Sequence, residues 1–153
     1  MKNKAKTIHV NSLNHTSKLG HQLGINLRGG EVIELSGDLG TGKTTLIKAI
    51  VAGTGSNDHV SSPTFVVSKL YKAPKFSIVH YDFYRLEEPG LLTNELTEQV
   101  DDIETVMLIE WGGSVADILP VNRVVIKLSS PSENSRIFDI IYPEELDYLM
   151  SDI

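Results

Sequence analysis

The chain has 153 residues, of which 41% are hydrophobic and 22% are charged, a composition typical of a globular protein rather than a disordered one. Its 14 lysines and arginines are outnumbered by 20 aspartates and glutamates, and the formal charge of −6 disfavours a protein that grips nucleic acid through its own field. The lack of cysteine excludes disulfides, cysteine–zinc sites and a thiol nucleophile. We expect one cytoplasmic domain, residues 1–153, without a membrane span or a secretory signal.

Segments typical of strands and of helices alternate along the chain. Apolar runs predict strands at 7–10, 31–35, 64–71, 76–81, 106–109, 123–128 and 136–141. Helical patterns follow at 43–52, at 89–99 and in a last short stretch that opens at Pro143. This mixture predicts a three-layer α/β domain around a mixed sheet.

One more helix is predicted between the first two strands. Thr16 or Ser17 is placed to cap it, and three leucines at a spacing of four would share one of its faces. The pair Gly29-Gly30 is expected to stop it.

Residues 37–44 read Gly-Asp-Leu-Gly-Thr-Gly-Lys-Thr and fit the phosphate-binding loop G-x-x-x-x-G-K-S/T. The segment lies between a predicted strand and a predicted helix, the context that the motif requires. Loop N–H groups and the helix N-terminus can surround a β-phosphate, Lys43 can reach the β- and γ-phosphates, and the Thr44 hydroxyl can bind Mg²⁺. The alternative, an accidental glycine turn, does not explain this context. We therefore expect a P-loop NTPase-like fold with a mixed, mainly parallel central sheet.

Hydrolysis of a nucleotide needs an acid near the metal, usually directly after an apolar strand. Glu110 ends the run at 106–109, and Asp82 ends the run at 78–81. We predict that Glu110 binds Mg²⁺ directly or through water, and that Asp82 orders the attacking water or the outer ligands of the metal. The two roles are interchangeable at this stage, and a solvated acid at a strand end is the alternative for each. With Lys43, these two acids are the predicted catalytic residues.

Two basic or titratable side chains lie beside Asp82. His80 is two residues away and shares a strand face with it, but with no third ligand nearby we favour a structural histidine over a metal ligand. Arg85 either stabilises charge at the site or forms a structural ion pair, and we favour the structural role.

Two other segments are candidates for contact with the nucleotide. Ser62, Pro63 and Thr64 follow the P-loop helix, where switch proteins sense the γ-phosphate, although a plain strand entry explains them equally well. Trp111, the single tryptophan, follows Glu110 and is predicted to stack on a base, cover the site or meet a partner; the alternative is a core tryptophan.

Four segments together resemble the bacterial TsaE-type (YjeE/YdiB-like) P-loop ATPases. They are Gly-Asp-Leu-Gly-Thr-Gly-Lys-Thr-Thr at 37–45, Ser-Pro-Thr at 62–64, His-Tyr-Asp-Phe-Tyr-Arg-Leu at 80–86 and Glu-Trp at 110–111. Their order and spacing are similar to those of the family from residue 12 to residue 141. The phosphate loop alone is generic, whereas the third and fourth segments are more specific.

The resemblance implies ATP and Mg²⁺ as cofactors, and a weak intrinsic ATPase that depends on partners. Those partners would be the transferase subunits (TsaD/TsaB-type) of the machinery that makes N6-threonylcarbamoyladenosine at position 37 of tRNA, with the tRNA met only through the complex. Thr44, Asp82 and Glu110 match the metal residues. The ATP-binding residues implied by motif and family are Asp38, Leu39, Gly40, Thr41, Gly42, Lys43, Thr44, Thr45 and Trp111, together with Thr16 from an N-terminal turn and Arg136 as a late arginine.

The segment at 92–100 departs from the family, because a Leu-Gly pair and a Tyr-Phe pair are missing from this region. That change concerns the surface for partner docking rather than the ATP site. Two other functions stay open: a small-molecule kinase, and a nucleotide-binding regulatory subunit without turnover. Kinases of this class commonly close an arginine-bearing lid, whereas the arginines here are few and scattered, at 28, 85, 123 and 136. A GTPase is disfavoured because no Asn-Lys-x-Asp sequence is present.

Overall fold

The computed structural model describes residues 2–38, 40–63, 68–84 and 93–153. This part of the chain contains seven strands: β1 (Asn3–Val10), β2 (Val32–Ser36), β3 (Ser68–Lys72), β4 (Ser77–Asp82), β5 (Thr105–Glu110), β6 (Val124–Ser132) and β7 (Ser135–Pro143). The α-helices are α1 (Leu13–Asn26), α2 (Lys43–Gly53) and α3 (Thr93–Gln99). Two 3-10 helices span Gly112–Val115 and Glu144–Met150. None of the described helices is long and apolar enough to cross a membrane.

The strands form one mixed sheet in the order β1-β7-β6-β2-β5-β4-β3. The central strands β6, β2, β5 and β4 are parallel, whereas β7 and β3 run antiparallel to their neighbours. The predicted α/β fold with a mixed sheet is confirmed. Because β2, β4 and β5 are parallel, their carboxyl ends meet at one edge, hereafter the carboxyl edge, which is where ligands bind in open α/β sheets.

Side chains alternate between two apolar layers that cover the central strands. One layer contains Ile33, Ile78 and Leu108 and packs against α1 and α2. The other contains Met107 and Ile109 and packs against α3 and the chain after Trp111, through side chains such as Leu96, Val115 and Leu119. Helical structure therefore lies on both faces, which confirms the three-layer arrangement.

The contact between α1 and α2 depends on glycine. A Cβ built on Gly24 would lie 2.1 Å from the carbonyl oxygen of Ile50, and one on Gly53 would lie 2.1 Å from that of His21. A Cβ on Gly20 would meet the Ala49 side chain at 2.5 Å. The two helices thus touch at backbone distance, and because α2 starts at the phosphate loop, α1 fixes the position of that loop.

Several predicted boundaries differ from the structure. Helix α1 is capped by Ser12, whose side chain accepts a hydrogen bond from the His15 N–H at 3.1 Å, so the prediction of Thr16 or Ser17 as the cap is wrong. Thr16 lies inside the helix and is buried. The helix also ends at Asn26, before the glycine pair, and β1 begins four residues earlier than predicted, because pairing with β7 extends it. The last helix follows Pro143 as predicted, but is of the 3-10 type.

Candidate functional site

The glycine loop leaves β2 at the carboxyl edge and enters α2. Gly37, Gly40 and Gly42 have φ angles of +141°, +81° and +97°, a region that favours glycine over every other residue. Gly37 also passes close to β6, since a Cβ there would lie 2.5 Å from the carbonyl oxygen of Leu128. Gly42 caps α2 without a side chain, so the N–H groups of the first helical turn are not covered by a capping residue. Such a helix start is suited to binding an anion.

Lys43 is held inside this loop and is only 6% exposed. Its Nζ donates to the carbonyl oxygens of Gly37 at 2.6 Å and Asp38 at 3.0 Å, and lies 4.4 Å from the centroid of the Trp111 ring. Burial lowers the pKa of Lys43 below its ordinary value, against the opposing charges of Glu110, Asp82 and Asp38. The Lys43 ammonium therefore places a positive charge inside the loop that is predicted to bind phosphate.

Contacts of Thr41 fix the shape of the loop and join it to the sheet. The Thr41 hydroxyl donates to the Asp38 carbonyl oxygen at 2.8 Å, which closes the loop on itself. Arg136 on β7 donates from Nε to the Thr41 carbonyl oxygen at 3.1 Å. Its Nη1 donates to oxygens of the β6–β7 turn, at Ser130, Ser132, Glu133 and Ser135. Thr44 and Thr45 lie half-buried in the first turn of α2. The structure therefore brings the Arg136 side chain to the loop, where it contacts the backbone at Thr41.

Asp82 and Glu110 end two adjacent parallel strands and are register partners in the sheet. Asp82 is half-buried, and its two carboxylate oxygens accept from the Ser62 hydroxyl at 3.1 Å and the Tyr84 N–H at 3.0 Å. Glu110 is 3% exposed and accepts from His80 Nε2 at 2.8 Å. The two acids predicted from the sequence thus lie side by side at the carboxyl edge, within electrostatic reach of Lys43.

His80 is fully buried between two partners. Its Nε2 faces Glu110, and its Nδ1 lies 3.1 Å from the hydroxyl oxygen of Tyr71. Within the described residues, no group of three or more histidine, aspartate and glutamate side chains is arranged to hold a metal ion by itself. This placement agrees with a histidine in a hydrogen-bond network, the role favoured from the sequence.

Trp111 stands at the mouth of the loop in a strained conformation. Its φ of +58° lies in the left-handed region, which a tryptophan adopts only where its surroundings impose it. The half-buried ring contacts both the Lys43 ammonium and the Tyr84 ring, with the centroids of the two rings 4.9 Å apart. Trp111 therefore lies over the Lys43 ammonium and also packs against the apolar layer of Met107 and Ile109.

Some predicted residues are placed less directly. Thr16 lies on α1 one turn before Gly20, which meets α2 at Leu46, so the parallel course of the helices directs Thr16 towards the start of α2. In the switch-like segment, Ser62 contacts Asp82 and Pro63 is buried, while Thr64 lies outside the described residues. Leu39 and Arg85, and the first residues of the predicted strand at 64–71 and helix at 89–99, also lie outside them.

Sequence reasoning missed the role of Tyr71. The hydroxyl of Tyr71 donates to the Ser61 carbonyl oxygen at 3.2 Å as well as facing His80, and burial raises its pKa above the ordinary value. Lys69 also donates to the Ser61 hydroxyl. In the sequence, Tyr71 and Lys69 are only a tyrosine and a lysine two residues apart in a predicted strand, which is a weak signal. The pairing of β3 with β4 is what brings them close to His80 and Ser61.

Comparison with known proteins identifies the family. The family model described as "Threonylcarbamoyl adenosine biosynthesis protein TsaE" matches residues 10–138. Proteins named "tRNA threonylcarbamoyladenosine biosynthesis protein TsaE" from Rickettsia conorii and Mycobacterium leprae are 34% and 36% identical to this chain, over 86% and 74% of it and 75% of each relative. The crystal structure of Bacillus subtilis YdiB superposes with a TM-score of 0.79 at 22% identity, covering 99% of this chain and 95% of that one, which supports the fold. On the family match and these identities, the chain belongs to the TsaE family of threonylcarbamoyl adenosine biosynthesis proteins.

Proposed function

We propose that this chain binds ATP with Mg²⁺ and hydrolyses it as the partner-activated ATPase subunit of the machinery that makes threonylcarbamoyladenosine at position 37 of tRNA. The observation that carries the proposal is the meeting of a phosphate loop with two acids at one sheet edge. Lys43 is buried in the loop, and its charge interacts with both Asp82 and Glu110. Membership of the TsaE family supplies the biosynthetic role.

The residues of the loop would bind the phosphates. Its N–H groups, with those of the first turn of α2 at Thr44 and Thr45, surround the β-phosphate, and Lys43 exchanges its loop carbonyl partners for phosphate oxygens. Arg136 keeps the loop in shape through the Thr41 carbonyl. Trp111 and Thr16 flank the nucleotide, and the segment 62–64 responds to the γ-phosphate.

The donor set at the carboxyl edge fits Mg²⁺. The Thr44 hydroxyl and the carboxylates of Asp82 and Glu110 are hard oxygen ligands, which this ion prefers, and phosphate oxygens and water complete its usual shell. When bound, the ion would neutralise charge that develops on the phosphates. Glu110 is held by His80 and Asp82 by Ser62, so the chain fixes the orientation of both carboxylates.

Partners are expected because an acidic chain belongs to a family of threonylcarbamoyl adenosine biosynthesis proteins. A net charge of −6 opposes direct binding of tRNA, so the tRNA would be reached through transferase subunits of the TsaD/TsaB type. Closing of the site by a partner would then raise a low intrinsic rate of hydrolysis.

The test is phosphate release from ATP by the pure chain, alone and with the transferase subunits, with Lys43→Ala as the control for contaminating ATPases. We expect slow release alone, faster release in the complex and loss of both in the variant. Transfer of phosphate to a small acceptor would instead indicate a kinase. Binding of ATP without release under any condition would indicate a regulatory subunit and contradict the proposal.

A further inference from the structure

A chain of hydrogen bonds connects Glu110 to the loop that follows α2. It runs from the Glu110 carboxylate to His80 at 2.8 Å, from His80 to the Tyr71 hydroxyl at 3.1 Å, and from that hydroxyl to the Ser61 carbonyl oxygen at 3.2 Å. The three side chains are all buried, with 3% or less of each exposed. A polar chain buried to this extent is held in fixed geometry, because any break leaves an unpaired group away from water.

Within this series of hydrogen bonds, the Tyr71 hydroxyl is the group that can change its acceptor. An ionised carboxylate has no proton to give, so Nε2 of His80 carries the hydrogen shared with Glu110. In a neutral imidazole, Nδ1 accepts the one hydroxyl proton of Tyr71 in competition with the Ser61 carbonyl. In an imidazolium, Nδ1 donates to Tyr71 and the hydroxyl proton goes to Ser61. In both forms the hydroxyl oxygen lies against His80 Nδ1 and the Ser61 carbonyl oxygen, so these two groups together set its position.

The same loop reaches the second acid. Ser62, the neighbour of Ser61, donates to Asp82 at 3.1 Å, while Lys69 on β3 holds the Ser61 hydroxyl. The segment 61–63 is therefore bonded to Asp82 directly and to Glu110 through Tyr71 and His80. A shift of this short segment would act on Asp82 directly and on Glu110 through the two intervening side chains.

We infer that Tyr71 and His80 are positioning residues which couple the segment 61–63 to Glu110, so that the orientation of this carboxylate depends on the position of the loop. This inference rests on the proposed ATPase function for its effect on turnover. The coupling itself is a property of the free protein. Among the described residues the Tyr71 hydroxyl is hydrogen-bonded to Ser61 and His80 and to neither acid, so it acts through His80.

The experiment compares Tyr71→Phe with a matched control, Tyr142→Phe, in the full chain. Tyr142 is also a buried strand tyrosine, 6% exposed, whose hydroxyl donates to Asp147 at 3.3 Å at the opposite end of the sheet. Hydrogen exchange is measured on the free protein for a peptide covering 60–63. ATP turnover is measured with the transferase subunits present.

We expect Tyr71→Phe to speed exchange in this peptide several-fold and to lower kcat about five- to tenfold, with KM for ATP changed by less than about twofold. Tyr142→Phe should do neither. If the peptide exchanges equally fast in Tyr71→Phe and Tyr142→Phe, the coupling is contradicted. If the two variants have the same kcat, or if Tyr71→Phe changes only KM, the positioning role is contradicted. If the wild-type complex fails to hydrolyse ATP, the proposed function fails, while the exchange comparison still decides the coupling.

Discussion

Two buried glutamates lie at opposite ends of the central strands and differ in how they are held. Glu31, just before β2, accepts from the backbone N–H groups of Arg28 at 2.8 Å and Gly29 at 2.7 Å and from the Tyr148 hydroxyl at 2.6 Å. Glu110, at the end of β5, accepts from one described side chain, His80. Their exposed fractions are nearly the same, 4% and 3%.

This difference supports the proposal that Glu31 is a structural carboxylate and Glu110 a catalytic one. The donors to Glu31 are mostly backbone groups, and Tyr148 is fixed in turn by the Arg28 guanidinium 3.9 Å above its ring. Glu31 therefore joins the last 3-10 helix to the start of β2. Glu110 keeps acceptor capacity, lies within electrostatic reach of the buried Lys43 and stands beside Asp82, an arrangement that supports the proposed site.

The largest effect is expected on ATP binding, from a substitution of Lys43 beside the carboxyl edge. Replacing Lys43 by Met removes the charge that would bind the phosphates, so the affinity for ATP should fall about 10- to 100-fold. Calorimetric titration of the free protein measures this change. Lys48→Met, on the exposed side of the same helix, is the control and should bind ATP like the wild type; equal losses in both variants would contradict the assignment.

A substitution of Glu31, at the opposite end of the central strands, should affect stability instead. Glu31→Ala leaves two backbone N–H groups and a tyrosine hydroxyl without their acceptor, so the free energy of unfolding should fall by about 2–4 kcal/mol. Denaturant unfolding measures this loss, with Glu98→Ala on the exposed side of α3 as the control. A loss no larger than that of the control would show that Glu31 is not a structural anchor.

A smaller effect is expected from Tyr148, and it depends on pH. Burial, followed by the hydrogen bond and charge of Glu31, raises the pKa of Tyr148 above 10.0, so its stabilisation is complete below that pH and is lost as the pH rises further. Tyr148→Phe should lower the free energy of unfolding by about 1 kcal/mol near pH 8. The gap between the two proteins should narrow above pH 10; a constant gap would contradict the raised pKa.

The smallest effect has the opposite dependence on pH and comes from Lys43. Burial lowers its pKa below 10.5, so between the lowered value and 10.5 the unfolded chain binds more protons, and the contribution of Lys43 to stability increases as the pH rises. The free energy of unfolding of the wild type, measured against that of Lys43→Met, should therefore increase through this window. A difference independent of pH would mean that burial does not disfavour the charge.

The features predicted well from the sequence are those with local signals. The phosphate loop is a contiguous motif, and Asp82 and Glu110 are recognised because each ends an apolar run. Parallel pairing of β4 with β5 then brings these acids together without further information. The central sheet follows for a similar reason, since β5 contains a continuous apolar run and β2, β4 and β6 are rich in valine, isoleucine and leucine.

The features that escaped prediction depend on distant partners. Glu31 reads as an ordinary strand-end acid until Tyr148, 117 positions away, donates to it. Tyr71 gains its role only from the register that sets β3 beside β4. Helix α1 begins after Ser12, which caps it, so Thr16 lies within the helix. Thr16 is buried on the side of α1 whose glycines touch α2, a contact that the local sequence does not indicate.

The most direct measurement compares ATP turnover of Glu110→Gln and Glu31→Gln, each in the full chain with the transferase subunits, alongside the free energy of unfolding. We predict that Glu110→Gln loses about 100-fold or more in kcat and stays folded, whereas Glu31→Gln is less stable but retains the wild-type kcat per folded molecule. Wild-type turnover in Glu110→Gln, or an equal loss of turnover in folded Glu31→Gln, would contradict the distinction between the two carboxylates.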